Sequence, residues 1–175
     1  MAMTVQIDEA TGATPTWNTA VTSCVWNDED TVSGTTTEIP TPTSTGTNFS
    51  FVKTFSIDIT VTNSLTMTNV KVGKVANETT TGTKLWVVTS HTVYTQATAS
   101  PTATSDNNVT APTVNGATAS AMSLIASASV YAAGPYTTTG RVGNMVEITL
   151  GVDASNTTGG TAVATPVLRW SWVEG

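Results

Sequence analysis

The feature that most constrains this chain is a regular alternation of apolar and polar side chains over residues 55–62. Phe, Ile, Ile and Val occupy the odd positions of this stretch, and Ser, Asp and Thr occupy the even ones. Successive side chains of a β-strand point to opposite faces of a sheet, whereas one face of a helix repeats about every 3.6 residues. The pattern therefore predicts a strand with one buried and one solvated face, which is typical of antiparallel sheets.

Similar patterns along the rest of the chain predict eight or nine short strands in all. Residues 63–64 (Asn-Ser) predict a tight turn or a bulge. The alanine-rich segment 122–130 could also form a helix, but Ser and Val recur in it at strand spacing, which favours a strand. The further segments are Met3–Ile7, Val21–Trp26, Leu65–Thr68 with Val70–Val75, Leu85–Val88 leading towards Val93–Tyr94, Met122–Val130, Val142–Val152 and Val167–Val173.

The composition favours an all-β fold and excludes several function classes. Threonine, whose branched side chain suits strands better than helices, accounts for 40 of the 175 residues. Six basic and twelve acidic residues give a net charge of −6 without a basic cluster, so phosphate-driven binding of nucleic acid is not expected. The single cysteine excludes an intrachain disulfide. No apolar run reaches the roughly 18 residues of a membrane-spanning helix.

Together these features predict one antiparallel β-sandwich domain over residues 1–175, of immunoglobulin-like or jelly-roll topology. About the first 48 residues are expected to form an extended N-terminal segment. Residues 97–116 form a loop long enough to hold a short strand near Val109 or to lie on a neighbouring subunit. The start of the chain has neither the basic nor the apolar region of a secretory signal peptide, so we expect the protein to be made in a cytoplasm.

No catalytic, metal or cofactor site is predicted from the polar residues. His91 is the one histidine, and no Gly-x-Ser-x-Gly motif accompanies it, so we expect it at the rim or surface of the sheet. Asp28, Glu29 and Asp30 are the densest acidic group, but the spacing of a calcium-binding loop is missing. Cys24 has no basic neighbour in the sequence and is expected to be a buried structural thiol.

Four of the five tryptophans are predicted to anchor the core or a subunit interface: Trp26, Trp86, Trp170 and Trp172. Phenylalanine and tyrosine are scarce, so these large rings must supply much of the core volume. Leu168, Trp170 and Trp172 share one side of the last predicted strand. The alternative is that exposed indoles form a stacking platform for sugars.

Several segments follow one another in a characteristic order through most of the chain: Ile39–Pro42 leading to Gly46–Phe51, Asn69–Val72, Gly82–Val87 with Tyr94–Thr98, and the aromatic strand Leu168–Glu174 with its acidic end. In this order they resemble small β-rich virion structural proteins of tailed bacteriophages. The resemblance implies a non-enzymatic head decoration or minor capsid protein, located in the virion and without a cofactor.

That resemblance also implies the partners, which would be the major capsid protein or other virion proteins together with further copies of this chain. It transfers no catalytic or ligand residue. Two other functions stay open at this point, namely a tail or head-fibre component and a β-sandwich module that binds carbohydrate or a cell surface.

Overall fold

The fold was described from a computed structural model, which covers residues 2–27, 29–30, 39, 41–42, 46–101, 111–156 and 167–175. These residues form twelve β-strands and one turn of 3-10 helix, Ile125–Ser127. Every pairing between the named strands is antiparallel. The predicted all-β, sandwich-like fold is therefore confirmed, with its main apolar core between two sheets.

Six of the twelve strands have six or more residues, and the other six have two or three residues each. In chain order they are β1 (Thr4–Thr11), β2 (Thr16–Asn18), β3 (Thr47–Phe49), β4 (Lys53–Val61), β5 (Met67–Lys74), β6 (Thr83–Val88), β7 (Thr113–Val114), β8 (Ala117–Thr118), β9 (Ser120–Ala121), β10 (Val130–Ala132), β11 (Gly140–Asp153) and β12 (Leu168–Glu174).

Seven strands form a large sheet in the order β2–β1–β4–β11–β6–β9, with β3 added to β11. Three strands form a small sheet in the order β10–β5–β12, and β7 with β8 forms a separate hairpin. Strands β1 and β2 lie within the N-terminal stretch that was expected to be extended, and they belong to the large sheet through the pairing of β1 with β4.

The inner faces of the two sheets carry the apolar side chains that alternation predicted. Phe55, Ile57 and Ile59 of β4 are at most 2% exposed. Full burial of side chains of this size contributes roughly 1.5–3 kcal/mol each. Trp170 packs against both halves of the inner core. In the same sheet as β4, β11 adds Val146, Ile148 and Leu150 to this face. The opposing residues, on β5 of the small sheet, are Met67, Val70 and Val72.

A bulge in β5 explains why its alternation changes phase. Met67 and Val70 are both buried in the core although they are three positions apart. Asn69 between them has a φ of 55°, and the pairing of β5 with β12 shifts register at this point. An extra residue in a strand turns the following side chains to the other face, and Asn tolerates the left-handed conformation better than most residues.

A second irregularity, in β11, brings a loop onto the large sheet. The register with β4 shifts between Val142 and Val146, and Gly143 in that interval has a φ of 77°. The Asn144 side chain donates a hydrogen bond to the Thr89 carbonyl at 2.8 Å. The backbone N–H of residue 145 donates to the carbonyl of residue 91 at 2.7 Å. The chain after β6 is thereby fixed beside the outer face of the sheet.

The tight turn predicted at residues 63–64 is confirmed. Asn63 and Ser64 have φ angles of 48° and 62°, and the Leu65 N–H donates to the Thr62 carbonyl at 2.9 Å. Hairpin turns with two left-handed residues join neighbouring strands of one sheet in most proteins. Here the turn leads instead from β4 in the large sheet to β5 in the small one.

Two predicted strands were wrong. Val21–Trp26 is irregular chain, with a backbone hydrogen bond of 2.8 Å from the Val21 N–H to the Ile7 carbonyl. In Met122–Val130 the centre is the 3-10 turn, and only the last residue enters a strand, β10. A Cβ added to Gly73 of β5 would lie 2.8 Å from the Ile125 backbone, so the 3-10 turn packs directly on β5. The alternation of side chains in this segment therefore does not mark a strand.

Two further segments were predicted to be extended or to form a strand. Val93–Tyr94 lies in irregular chain after β6. The strand suggested near Val109 lies outside the described residues. No helix in the part of the chain that the structure describes has the length and apolarity that a bilayer crossing requires.

Candidate functional site

The outer face of the large sheet is covered by residues 89–98, here called the strap, and by the hairpin of β7 and β8. The hairpin turns at Asn115–Gly116, whose φ angles of 47° and 85° are those of a two-residue hairpin turn. Beneath the hairpin, Trp86 and Val88 pack with Val114 in a small apolar cluster. The sheet is therefore buried on both faces in this region.

Glu147 on β11 holds the strap and the hairpin together. Its residue is 1% exposed. One carboxylate oxygen lies 2.5 Å from Nδ1 of His91 in the strap, and the other accepts a hydrogen bond of 2.5 Å from the Asn115 side chain. The same Asn115 amide donates to the Thr95 carbonyl at 3.1 Å. Because a buried carboxylate needs compensating donors, Glu147 links three segments at one point.

A second group of contacts fixes the outer face near β1 and β2. The Arg141 guanidinium donates to the fully buried Asp8 carboxylate at 2.6 Å and lies 4.1 Å from the centre of the Trp17 ring. Trp17 in turn meets Tyr94 of the strap edge to face at 6.3 Å. The Tyr94 hydroxyl donates to the Gly12 carbonyl at 3.0 Å. Burial, followed by nearby acidic charge, raises the pKa of Tyr94 to about 12, so it stays a donor.

The arrangement around His91 holds chain segments in place, and in the described part of the chain it includes no nucleophile bonded to the ring. Among the described residues, no serine, threonine or cysteine side chain forms a hydrogen bond with the His91 ring. A catalytic base of this kind needs a nucleophile within hydrogen-bond reach. The side chain is 26% exposed, which places it at the rim of the sheet.

A buried ion pair lies on the inner face of the same sheet. Lys53 begins β4 and Glu9 lies on β1, at 1% and 0% exposure, with 3.8 Å between Lys53 Nζ and Glu9 Oε1. Lys53 Nζ also approaches the Glu29 carbonyl at 3.5 Å. Burial raises the pKa of Glu9 to about 7; the Lys53 charge opposes this rise and the Asp30 charge adds to it.

Sequence reasoning missed the Glu9–Lys53 pair, although the alternation contained the signal. Val5 and Ile7 pair with Ile59 and Ile57 on the inner face of the sheet, and Glu9 occupies the next inward position of β1. Lys53 has the same parity as the inward-facing residues of β4. A charged residue in the apolar register of each of two strands predicts a buried pair once the strands are known to be neighbours.

The pocket on the open side of the sandwich has a volume of about 380 Å³ and lies between the chain around Cys24 and the start of β12. Trp26 and Trp170 line it, and Trp170 meets Phe55 edge to face at 5.8 Å. Burial, with a smaller contribution from the charge of Glu9, raises the pKa of Cys24, so this half-buried residue stays a thiol. A neutral thiol is a weak nucleophile and a weak metal ligand.

The predicted anchor tryptophans lie in two different cores. Trp170 and Trp172 are half-buried against the inner core, and Trp26 is half-buried at its open side. Trp86 is 4% exposed and belongs to the outer cluster under the hairpin. All five tryptophans fall within the described residues, and none is exposed.

The acidic group that was weighed as a calcium site is divided in the structure. Asp28 lies outside the described residues, and Glu29 is exposed. Asp30 accepts hydrogen bonds from the Gly12 N–H at 2.9 Å and from the Gln96 side chain at 2.7 Å. Within the described ranges, no three His, Cys, Asp or Glu side chains are grouped as a metal site would require.

Among the residues that the structure describes, the small sheet has an open edge at β12. In the described part of the chain β12 pairs with β5 on one side only. Val173 near its end is 54% exposed, and Val167, just before its start, is 71% exposed. An edge strand presents unpaired N–H and C=O groups to which another chain can add. Within those described residues, unpaired backbone groups and exposed apolar side chains therefore occur together along β12.

Comparison with known proteins gave no relative: no protein-family model, no curated protein and no solved structure matches this chain. Two local features of the structure bear on function. One is the interior polar network that fixes the strap, and the other is the open edge of the small sheet.

Proposed function

We propose that this chain is a non-enzymatic structural protein of a tailed-phage virion, and that it decorates the head by binding the capsid lattice. The order of segments from Ile39 to Glu174 supports the virion assignment through its resemblance to such proteins. The observation that carries the binding role is the open β12 edge with its exposed valines. The partners would be the major capsid protein and further copies of this chain.

Strand addition at β12 suits the chemistry of this chain. Only 10% of the residues are charged, so ion pairs can supply few contacts to a partner. Backbone hydrogen bonds along an edge strand give affinity, and the exposed valines give apolar area and register. Such contacts depend less on salt than surface ion pairs do.

The polar network on the outer face supports a structural role. Glu147 contacts His91 of the strap, and Arg141 pairs with Asp8, so these charged groups have partners within the chain. A decoration protein needs a rigid body that presents a fixed edge, and these contacts give the large sheet that rigidity.

A sugar-binding platform receives no support from the tryptophans. Such a platform needs a row of solvent-facing indoles, and each of the five indoles is at least half-buried. A tail or head-fibre location is the remaining alternative, and the location experiment separates it from a head location.

The location test uses an antibody against the purified protein and particles from the culture that expresses the chain naturally. Gold-labelled antibody is expected over the heads, at many copies per particle, in electron micrographs. Label confined to the tails would assign the chain to the tail or its fibres. Particles that contain the chain neither by labelling nor by mass spectrometry would overturn the virion proposal.

The binding test uses heads stripped of the protein and re-incubated with the purified chain or its variants. Val173→Lys places a charge on the β12 edge and is expected to reduce retention on sedimented heads at least tenfold. Val93→Lys, at a 70% exposed position in the strap on the outer face of the large sheet, is the matched control and should bind like the parent. Equal retention of both variants would contradict binding through β12, as would full release of the parent at moderate salt.

A further inference from the structure

The buried Glu9–Lys53 pair is the feature of the interior that neither the fold nor the proposed function explains. Both side chains lie in the inward register of neighbouring strands, at the edge of the apolar core. Their 3.8 Å separation is that of an ion pair with poor hydrogen-bond geometry. Neither Glu9 oxygen has a hydrogen-bond donor at standard distance within the described part of the chain.

An ion pair in this setting is costly. Removing two charges from water carries a large desolvation penalty, which the mutual attraction offsets only with good geometry and further hydrogen bonds. Burial raises the pKa of Glu9 to about 7, so this carboxylate takes up a proton more readily than an exposed one does.

We propose that Lys53 and Glu9 condense to an intramolecular amide that covalently joins β4 to β1. The ammonium first passes a proton to the carboxylate. The amine lone pair of Nζ then attacks Cδ of Glu9, a C–N bond forms, and one carbon–oxygen bond of the acid breaks. The leaving oxygen takes two protons and departs as water, so the ion pair is converted to an amide and one water molecule. No oxidant, reductant or other reactant is consumed.

The surroundings favour this condensation in three ways. Holding amine and acid together on two paired strands replaces a bimolecular reaction by an intramolecular one of high effective molarity. The product replaces two buried charges by one neutral amide, which removes the desolvation penalty. The Glu29 carbonyl, already 3.5 Å from Nζ, is placed to accept the N–H of the new amide.

Asp30 adds to the cost of the charged carboxylate. It is fixed by the Gly12 N–H and the Gln96 side chain, and its negative charge raises the pKa of Glu9. The bond itself forms between Lys53 and Glu9.

The first test is the intact mass of the purified full-length chain after incubation at neutral pH. The measured mass is expected to be lower, by the mass of one water molecule, than the mass calculated from the amino-acid sequence of the purified chain. Lys53→Met, which keeps the volume but removes the amine, should have its full sequence mass. Lys84→Met is the matched control and should keep the deficit. A parent chain with its full sequence mass would overturn the proposal. A mass lower by one ammonia molecule would show that the bond does not involve the Glu9 carboxyl group.

Tryptic digestion locates the bond even where Lys53→Met does not fold. Lys53 is the first basic residue of the chain and Lys71 is the second. An acylated Lys53 is not cut by trypsin, so the N-terminal peptide is expected to end at Lys71 and to carry the deficit. Release of an N-terminal peptide ending at Lys53 in stoichiometric yield would contradict the cross-link. The readout uses the isolated chain, so it does not depend on binding to a capsid.

Discussion

The two faces of the large sheet are both buried but are stabilised in different ways. On the inner face, apolar side chains of β4 and β11 meet the small sheet in a continuous core that Trp170 spans. On the outer face, buried charged groups each have a specific partner, and only a small apolar cluster lies under the hairpin. The strap is held there mainly by single hydrogen bonds.

The difference separates two kinds of tolerance to substitution. Apolar burial is non-directional and roughly proportional to area, so the inner core should tolerate substitutions that conserve volume. A buried polar contact depends on both partners, and the loss of one leaves the other unsatisfied. The outer face should therefore be sensitive to changes of only a few atoms.

The largest effect is expected for Trp170→Ala on the inner face. Trp170 contacts both halves of the inner core and packs edge to face against Phe55. Its removal should lower the free energy of unfolding by about 3–5 kcal/mol and impair folding. Chemical denaturation followed by tryptophan fluorescence and circular dichroism measures the change.

Val173→Ala is the control for Trp170→Ala, since it lies on the same strand but is exposed. Its effect should stay within about 0.5 kcal/mol. A Trp170→Ala variant that melts like the parent would show that Trp170 does not stabilise the core. The contrast between the two faces of the large sheet would then not hold.

Glu147→Ala should cost about 2–3 kcal/mol, because it leaves the His91 ring and the Asn115 amide without their carboxylate. Glu147→Gln keeps one oxygen acceptor and should cost about 1 kcal/mol. Hydrogen exchange adds a regional readout: amides of the strap should exchange faster in Glu147→Ala, with little change in β4. Equal acceleration in both regions would show that the outer face has no stability of its own.

The sequence could predict the inner face because alternation reports which side of a strand is apolar. β4, β11 and β12 were found in this way, and so was the turn at Asn63–Ser64. The outer face could not be predicted, because polar residues there look solvated until the strap and hairpin are known to cover them. Glu147 occupies an outward position of β11, and nothing local distinguishes it from a surface residue.

One local signal for the outer face was present and was not used. Val114-Asn115-Gly116-Ala117 contains the Asn-Gly pair that favours a two-residue hairpin turn, within a segment interpreted as a long loop. The hairpin then supplies Asn115 to Glu147. The partnership itself joins residues 32 positions apart and requires the tertiary fold.

Gly116→Ala tests that turn and should cost about 1–2 kcal/mol. The φ of 85° is left-handed, and an added Cβ would meet no atom within 4 Å, so the cost is backbone strain alone. Gly175→Ala, also with open space around it and without a left-handed φ, is the matched control and should be neutral. Equal stability of the two variants would mean that the hairpin does not stabilise the outer face.

The smallest effect is expected at Glu78, which connects the two sheets. Its carboxylate forms an ion pair with Lys74 of β5 and accepts a hydrogen bond of 2.9 Å from the Leu85 N–H of β6. Burial works to raise the pKa of Glu78, but the hydrogen bonds from Lys74 and Leu85 outweigh it, so the pKa lies below its ordinary value of 4.5.

A depressed pKa means that the folded state favours the ionised carboxylate. The resulting stability is present above pH 4.5 and is lost as the pH falls through the lower pKa of the folded state. Glu78→Gln should therefore be less stable than the parent at pH 7, by about 1 kcal/mol or less, and the two should converge as the pH falls below the pKa of the folded state. Denaturation curves for both proteins across this range measure the difference. A gap that stays constant with pH would show that Glu78 connects the sheets through its shape and not through its charge.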